Sequence, residues 1–269
     1  VIEAVTEGNI PLWAGSAIAY GVVLIYVLFS GVAAVGWTNT FQGIFMLTIA
    51  WSLGLYLPIS LYGGVGEMFT KIMAERPELL SLPGLTASGQ PWSWGGYSSA
   101  IIVSAVGLMM WPHLFMKAFT ARSDNTLRKT VVLFPTFQLF LIPVFLIGFA
   151  GVLYPKAPSS SDFILPFMIL NADLPAVVVG LFCAGALSAS MSTGDSLMHA
   201  AASVTVEDGI RPFKDLSDSA RRRMIQAFVL VVGAVAYSFA VVEGVSLVVL
   251  LLTAYGVICQ LAPPIVAAL

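Results

Sequence analysis

Long apolar stretches alternate with short polar breaks along this chain. Seven of them reach or approach the roughly 20 apolar residues that an α-helix needs to cross a bilayer. They are 11–31, 34–60, 97–118, 130–153, 174–205, 224–242 and 244–269. Only Ser30-Gly31 divides the first pair, and only Glu243-Gly244 the last. Runs such as IIVSAVGLMMWPHLFM are continuous, without the alternation of a barrel strand, so helices are predicted. The segment 61–96 is long for a loop. Within EMFTKIMAERPELLSL, Met68, Ile72 and Met73 recur at helical spacing and predict a short amphipathic helix at the membrane interface. The bland alternative is a covering loop. Pro91-Trp92-Ser93-Trp94 suggests an aromatic anchor at the same surface.

Composition sharpens this picture. Of 269 residues, 58% are hydrophobic and 10% charged, against about 25% charged in soluble domains. Mean hydropathy is +0.93. Those values exclude a soluble enzyme and a disordered tail. Twelve Lys and Arg against fourteen Asp and Glu leave no basic field for nucleic acid. Two cysteines exclude a disulfide framework, and Cys183 and Cys259 read as small buried packers. The chain opens Val1-Ile2-Glu3 without an initiator Met and stops at Leu269 inside an apolar run, which reads as an internal fragment.

Charge also orients the spans. The loop 117–129 carries Lys117, Arg122, Arg128 and Lys129, and the loop 209–223 carries Arg211, Lys214, Arg221, Arg222 and Arg223. If seven spans alternate, these nine cations share one side, which is then cytoplasmic. The other side holds Glu3, Glu7 and the loops 61–96 and 155–173, with only Lys71, Arg76 and Lys156. A multi-pass protein of the cell (inner or plasma) membrane is expected.

Chemistry concentrates in the fifth span, GLFCAGALSASMSTGDSLMHAAASVTVEDGI. Small residues there allow close helix packing but do not account for Ser188, Ser192, Thr193, Asp195, Ser196 and His199. Asp195 is the one carboxylate well inside a membrane span, at a cost of about 2.5–3.5 kcal/mol on insertion scales. Such a residue defaults to a functional hypothesis. Ala189, Ser192, Thr193 and Ser196 share a face at i, i+3, i+4 and i+7. Their oxygens suit a small alkali cation, although Ser and Thr also bond back to their own helix. Asp195 and His199, at i and i+4, form either a proton relay or a plain salt bridge. In the third span Pro112 frees the Leu108 carbonyl beside Gly107, so the helix is interrupted near mid-span or simply kinked. Asn39 and Gln42 share a face of the second span, where amides could simply join helices.

These residues resemble a known family. Gly180 to Gly185, Ala189-Ser190-Met191-Ser192-Thr193-Gly194-Asp195-Ser196 and Glu207-Asp208 are similar to the AxxMSTxDS…TxED pattern of the sodium:solute symporters. Trp37-Thr38-Asn39 with Gln42 resembles the family's WTDxxQ. Trp111-Pro112-His113 with Lys117 and Arg122-Ser123 resembles its PHxxxR…KS segment. The resemblance implies an all-α polytopic membrane protein with the leucine-transporter-like inverted-repeat fold, holding core helices four to ten. It implies sodium-coupled symport of a small organic acid or amino acid by alternating access, with no catalytic residue and no cofactor other than sodium as the coupling ion. It places sodium at the Ala189 carbonyl, Ser192 and Thr193, and substrate at Ser104, Gly107, Leu108 and Pro112 with Trp111 closing over it. Asn39 stands where the family has an aspartate, and Asp195 could return that carboxylate. A second site for an ion or a proton is therefore assigned to Asn39, Asp195, Ser196 and His199. The competing readings are a proton-coupled symporter using Asp195 and His199, and the membrane domain of a sensor kinase. Solute, sodium and the bilayer are the expected partners; the oligomeric state is not legible.

Overall fold

The computed structural model describes residues 2–6, 8–86, 89–119, 121–155, 163–172, 174–242 and 247–268. The expected break at Glu243-Gly244 lies outside them, as do Glu7 and Lys156. The elements are α1 (Ile2–Val5), α2 (Leu12–Tyr62), α3 (Val65–Glu75), α4 (Trp94–Met109), α5 (Pro112–Phe119) and α6 (Asp124–Phe137), followed by α7 (Leu141–Val152), α8 (Ile164–Leu170), α9 (Ala176–Val204), α10 (Asp218–Ala240), α11 (Leu247–Ile258) and α12 (Ala262–Ala268).

Serine hydroxyls cap three helices as their sequence positions allow. Ser93 accepts from the Gly96 N–H, Ser123 from Thr126 and Ser217 from Ala220, so α4, α6 and α10 each start with one orphan donor satisfied. Among the described residues, seven helical stretches are long and apolar enough to cross a membrane: Leu12–Phe29, Gly36–Tyr62, Trp94–Leu114, Asp124–Val152, Ala176–Phe213, Asp218–Ala240 and Val248–Ala268. Their outward faces are apolar, with Phe29 81%, Trp37 79% and Val131 72% exposed. Apolar surface on this scale is not left in water, so the chain is a multi-pass membrane protein.

The contacts gather into two compact units, residues 1–50 with 158–243 and residues 51–157 with 244–269. In the first unit, Val23, Val27, Met198, Ala202 and Val229 form a buried cluster that joins α2, α9 and α10. These contacts also resolve an oddity of α2. Its 51 residues would run about 75 Å as a straight helix, more than twice a bilayer core. Yet Tyr237 donates to the Trp13 carbonyl, Leu24 sits over Gly233 and Gln226 donates to the Leu28 carbonyl, so residues 13–28 run antiparallel to α10. The pairs Asn39 with Ser196 and Ile49 with Gly185 make the next stretch antiparallel to α9. Because α9 and α10 are themselves an antiparallel pair joined by a short connection, the chain reverses between residues 28 and 39. Ser30-Gly31, the expected break, falls inside this interval. The helical backbone is uninterrupted there, but the helix is two membrane spans.

In the second unit, α2 and α7 approach closely. A side chain at Gly54 would meet the Pro143 backbone at 2.7 Å, so only glycine allows this contact. The Tyr62 hydroxyl donates to the Ala150 carbonyl at 2.7 Å. The amphipathic helix expected in 61–96 is α3. Met68 and Ile72 are fully buried, and Phe69 meets Phe149 of α7 edge-on. Met73 is 60% exposed. The apolar face thus packs mainly against protein, because Met68 and Ile72 lie one turn apart on the side facing α7. Trp92 is tied down through its indole N–H to the Leu85 carbonyl, while Trp94 projects outward at 63% exposure.

Candidate functional site

Asp195 anchors the most polar part of the first unit. It lies about two-thirds of the way along α9, fully buried. Three donors reach its carboxylate. The Tyr26 hydroxyl donates to Oδ2 at 2.8 Å, the Ser196 hydroxyl to Oδ1 at 2.9 Å, and the Asn39 amide N–H approaches Oδ1 at 3.4 Å. Tyr26 also lies 3.3 Å from the Met191 carbonyl, and Asn39 donates to the Ser196 hydroxyl at 3.1 Å. The two arms of α2 therefore converge on one α9 side chain. A buried carboxylate without partners would cost several kcal/mol; here three donors meet about four lone-pair sites.

Two amide oxygens on the α2 stretch that Asn39 belongs to have no donor. Asn39 Oδ1 and Gln42 Oε1 are both buried without a hydrogen-bond partner among the described residues. They lie three residues apart on the same α2 face. A buried carbonyl oxygen without a donor is costly and calls for an explanation. The set of oxygens from carboxylate, hydroxyl and amide groups is what a hard cation takes as ligands.

The remaining sequence-assigned residues fall as follows. Asn39, Asp195 and Ser196 are brought together. His199 does not join them: its Nδ1 meets the Ser203 hydroxyl at 3.3 Å, one turn further along α9. Of the sodium set, Ala189 and Thr193 are exposed and Ser192 is half-buried. The Ser192 hydroxyl donates to the Ala189 carbonyl at 3.1 Å, so two of the assigned oxygens are bonded to each other within their helix.

The substrate set lies in the second unit, at a helix break. α4 ends at Met109, the Met110 N–H turns back to the Gly107 carbonyl, and Pro112 opens α5 at its first position, where its missing N–H costs nothing. The interruption expected at Pro112 is therefore present. Trp111 stacks edge-on to Tyr255 with ring centroids 5.9 Å apart and lies beside His113, whose Nδ1 is buried without a partner. Gly107 faces α11: a Cβ there would stand 2.6 Å from the Tyr255 ring and 3.2 Å from Cys259 Sγ. Cys259 is half-buried and its thiol donates to the Val103 carbonyl, and Cys183 is half-buried too. Ser104 and Leu108 are half-buried along the same helix.

Sequence reasoning missed Tyr26. Its partner lies 169 positions away, and a tyrosine in an apolar span carries no signal of such a contact. The only available hint was that an intramembrane carboxylate must have a donor somewhere.

The fold defines a polytopic helical membrane protein with a buried cluster of polar oxygens inside its spans. The sequence profile of the sodium:solute symporter family matches residues 9–269, and the chain belongs to that family. It is 27% identical to an uncharacterized symporter, YhjB, of Bacillus subtilis (strain 168), over all of this chain and 54% of that protein. It is 26% identical to a sodium/pantothenate symporter of Haemophilus influenzae over 68% of this chain and 37% of that one. A human sodium/iodide cotransporter is 27% identical over 76% of this chain and 33% of its own length. The chain thus spans about half or less of the length of these relatives. Among solved structures, the substrate-bound outward-open state of a Na+-coupled sialic acid symporter aligns with TM-score 0.67 at 18% identity, over 84% of this chain and 49% of that one. That likeness bears out the leucine-transporter-like fold. The family and these matches are transporters and not enzymes.

Proposed function

We propose that the protein containing this chain is a sodium-coupled symporter of a small organic acid or amino acid, working by alternating access. The observation that supports this most is the buried Asp195 carboxylate held against Asn39, with unpartnered Asn39 and Gln42 oxygens on one face of α2. In this reading the Ala189 carbonyl, Ser192 and Thr193 contribute one sodium site. Asp195, Asn39 and Ser196 form a second cation site. Asn39 stands where WTDxxQ has its aspartate, while Asp195 keeps the aspartate of AxxMSTxDS, so the contact between them leaves one carboxylate at this helix interface. Substrate meets the break at Ser104, Gly107, Leu108, Trp111 and Pro112. The loops 117–129 and 209–223 face the cytoplasm of a cell membrane.

Energetics give the second site a purpose. One sodium entering across 100 mV carries about 2.3 kcal/mol, enough to concentrate a neutral solute about fifty-fold at 1.4 kcal/mol per decade. Two sodium ions raise that ceiling to roughly two-thousand-fold.

The test is uptake by the full-length protein in proteoliposomes, screened with labelled organic acids and amino acids under an imposed sodium gradient and then a proton gradient. Sodium-driven accumulation is expected. Accumulation driven by protons alone would replace this reading with coupling through Asp195 and His199.

A further inference from the structure

Away from the Asp195 cluster, one cavity of about 260 Å³ opens among α2, α9 and α10. Its walls are of two kinds. Val27 and Val229 form an apolar side continuous with the buried core of the unit. Arg221, Arg222, His199 and Asp218 form a charged side.

The two arginines are not equivalent. Arg221 is committed to Glu207, which also takes Arg211 at 3.0 Å. Arg222 has no ion-pair partner among the described residues, and it shares the cavity with Asp218. Gln226 is spent on the Leu28 carbonyl. The cavity therefore offers one uncommitted guanidinium, a second held in place by Glu207, an imidazole and an apolar wall. It sits where α10 passes from the charged segment Arg221-Arg222-Arg223 into its apolar run.

That arrangement matches an amphiphilic anion. Basic pockets between membrane helices at the charged side of a bilayer take lipid headgroups, and a guanidinium pairs with phosphate through two parallel hydrogen bonds. Size narrows the choice. Pockets for whole drug-sized ligands start at ~300 Å³, so this cavity suits a phosphate and glycerol, with the acyl chains left outside. Leu230 and Phe29, 48% and 81% exposed, supply apolar surface next to it in sequence.

The geometry points to a binding site for the phosphate headgroup of an anionic phospholipid, held by Arg222 with Arg221 and His199 beside it. The site shares His199 with the proton-coupled alternative, and its test reads Arg222, which that alternative does not use. The full-length protein, stripped of lipid in detergent, is offered acyl-matched phosphatidylglycerol or phosphatidylcholine, and the retained lipid is quantified by mass spectrometry. Phosphatidylglycerol should be retained preferentially. Arg222→Ala should weaken that retention about five-fold, the equivalent of ~1 kcal/mol for one arginine near an anionic surface. Arg222→Lys should keep most of it, and Arg223→Ala, outside the cavity, all of it. Millimolar inorganic phosphate should not displace the lipid. Arg222→Gln, which keeps the stem and removes the charge, reads the same loss if the alanine variant does not fold. Equal retention of both lipids, unchanged retention in the Arg222 variants, or displacement by inorganic phosphate would each overturn the assignment.

Discussion

Restoring an acid at Asn39 tests the Asp195 site most sharply. In Asn39→Asp, a second carboxylate stands about as far from Asp195 as the present amide, which approaches Oδ1 at 3.4 Å. Two unit charges 4 Å apart interact by about 4 kcal/mol at an effective dielectric of 20. Without a cation, that repulsion must be relieved by protonation or by separating the α2 arm from α9. Either way the sodium-free protein loses stability. A bound cation offsets the repulsion, so stability should climb steeply with sodium, following the logarithm of concentration over Kd. The double variant Asn39→Asp with Asp195→Asn restores a single charge at the same interface. It should recover wild-type stability in sodium-free buffer and wild-type sodium dependence of uptake. The assay is the melting temperature of the full-length protein across sodium concentrations, run beside the sodium-to-solute flux ratio. An Asn39→Asp protein as stable as wild type without sodium would refute the reasoning. So would a double variant no better than the single one.

Other substitutions read neighbouring parts of the structure. Tyr26→Phe removes the hydroxyl that donates to Asp195 Oδ2; a hydrogen bond to a charged group contributes about 1.5–3 kcal/mol, and a matching fall in stability is expected by thermal or denaturant unfolding. Asp195→Asn should lower the sodium-to-solute flux ratio toward one and cut maximal accumulation at fixed voltage from the two-ion to the one-ion ceiling. Ser192→Ala combined with Thr193→Ala should raise the sodium concentration for half-maximal uptake, and unchanged sodium dependence would remove these residues from the ion path. Gly107→Ala places a methyl group against the Tyr255 ring; overpacking of this kind costs about 1–3 kcal/mol, and Tyr255→Leu in the same protein should relieve it.

Much of the fold was legible because membrane spans follow from local composition. Seven apolar stretches correspond to seven membrane-length helical stretches among the described residues, and Pro112 marked the break between α4 and α5. The reversal within α2 falls in the interval that holds Ser30-Gly31, although α2 is continuously helical from Leu12 to Tyr62. What local pattern could not give was partnership. Asp195 and His199 have the spacing of a pair on one helix face, yet His199 turns to Ser203 while Asp195 takes Tyr26 and Asn39 from another part of the chain. Gly107 reads as a flexible point in a broken helix, but it is where Tyr255 comes close. The face of α3 was legible and its environment was not, since periodicity shows an apolar side without showing whether lipid or α7 will cover it.

The contact between Asn39 and Asp195 also constrains the history of this site. The family patterns carry an acid at both positions, so the doubly acidic interface is the expected starting point and this chain has given up the α2 acid. Two acids incur a repulsion large enough to make folding depend on salt, a state that a sodium-rich environment would tolerate. Asn39 lifts that dependence and keeps one charge at the interface. Ancestral reconstruction along this branch should therefore recover the doubly acidic state in preference to the doubly neutral one.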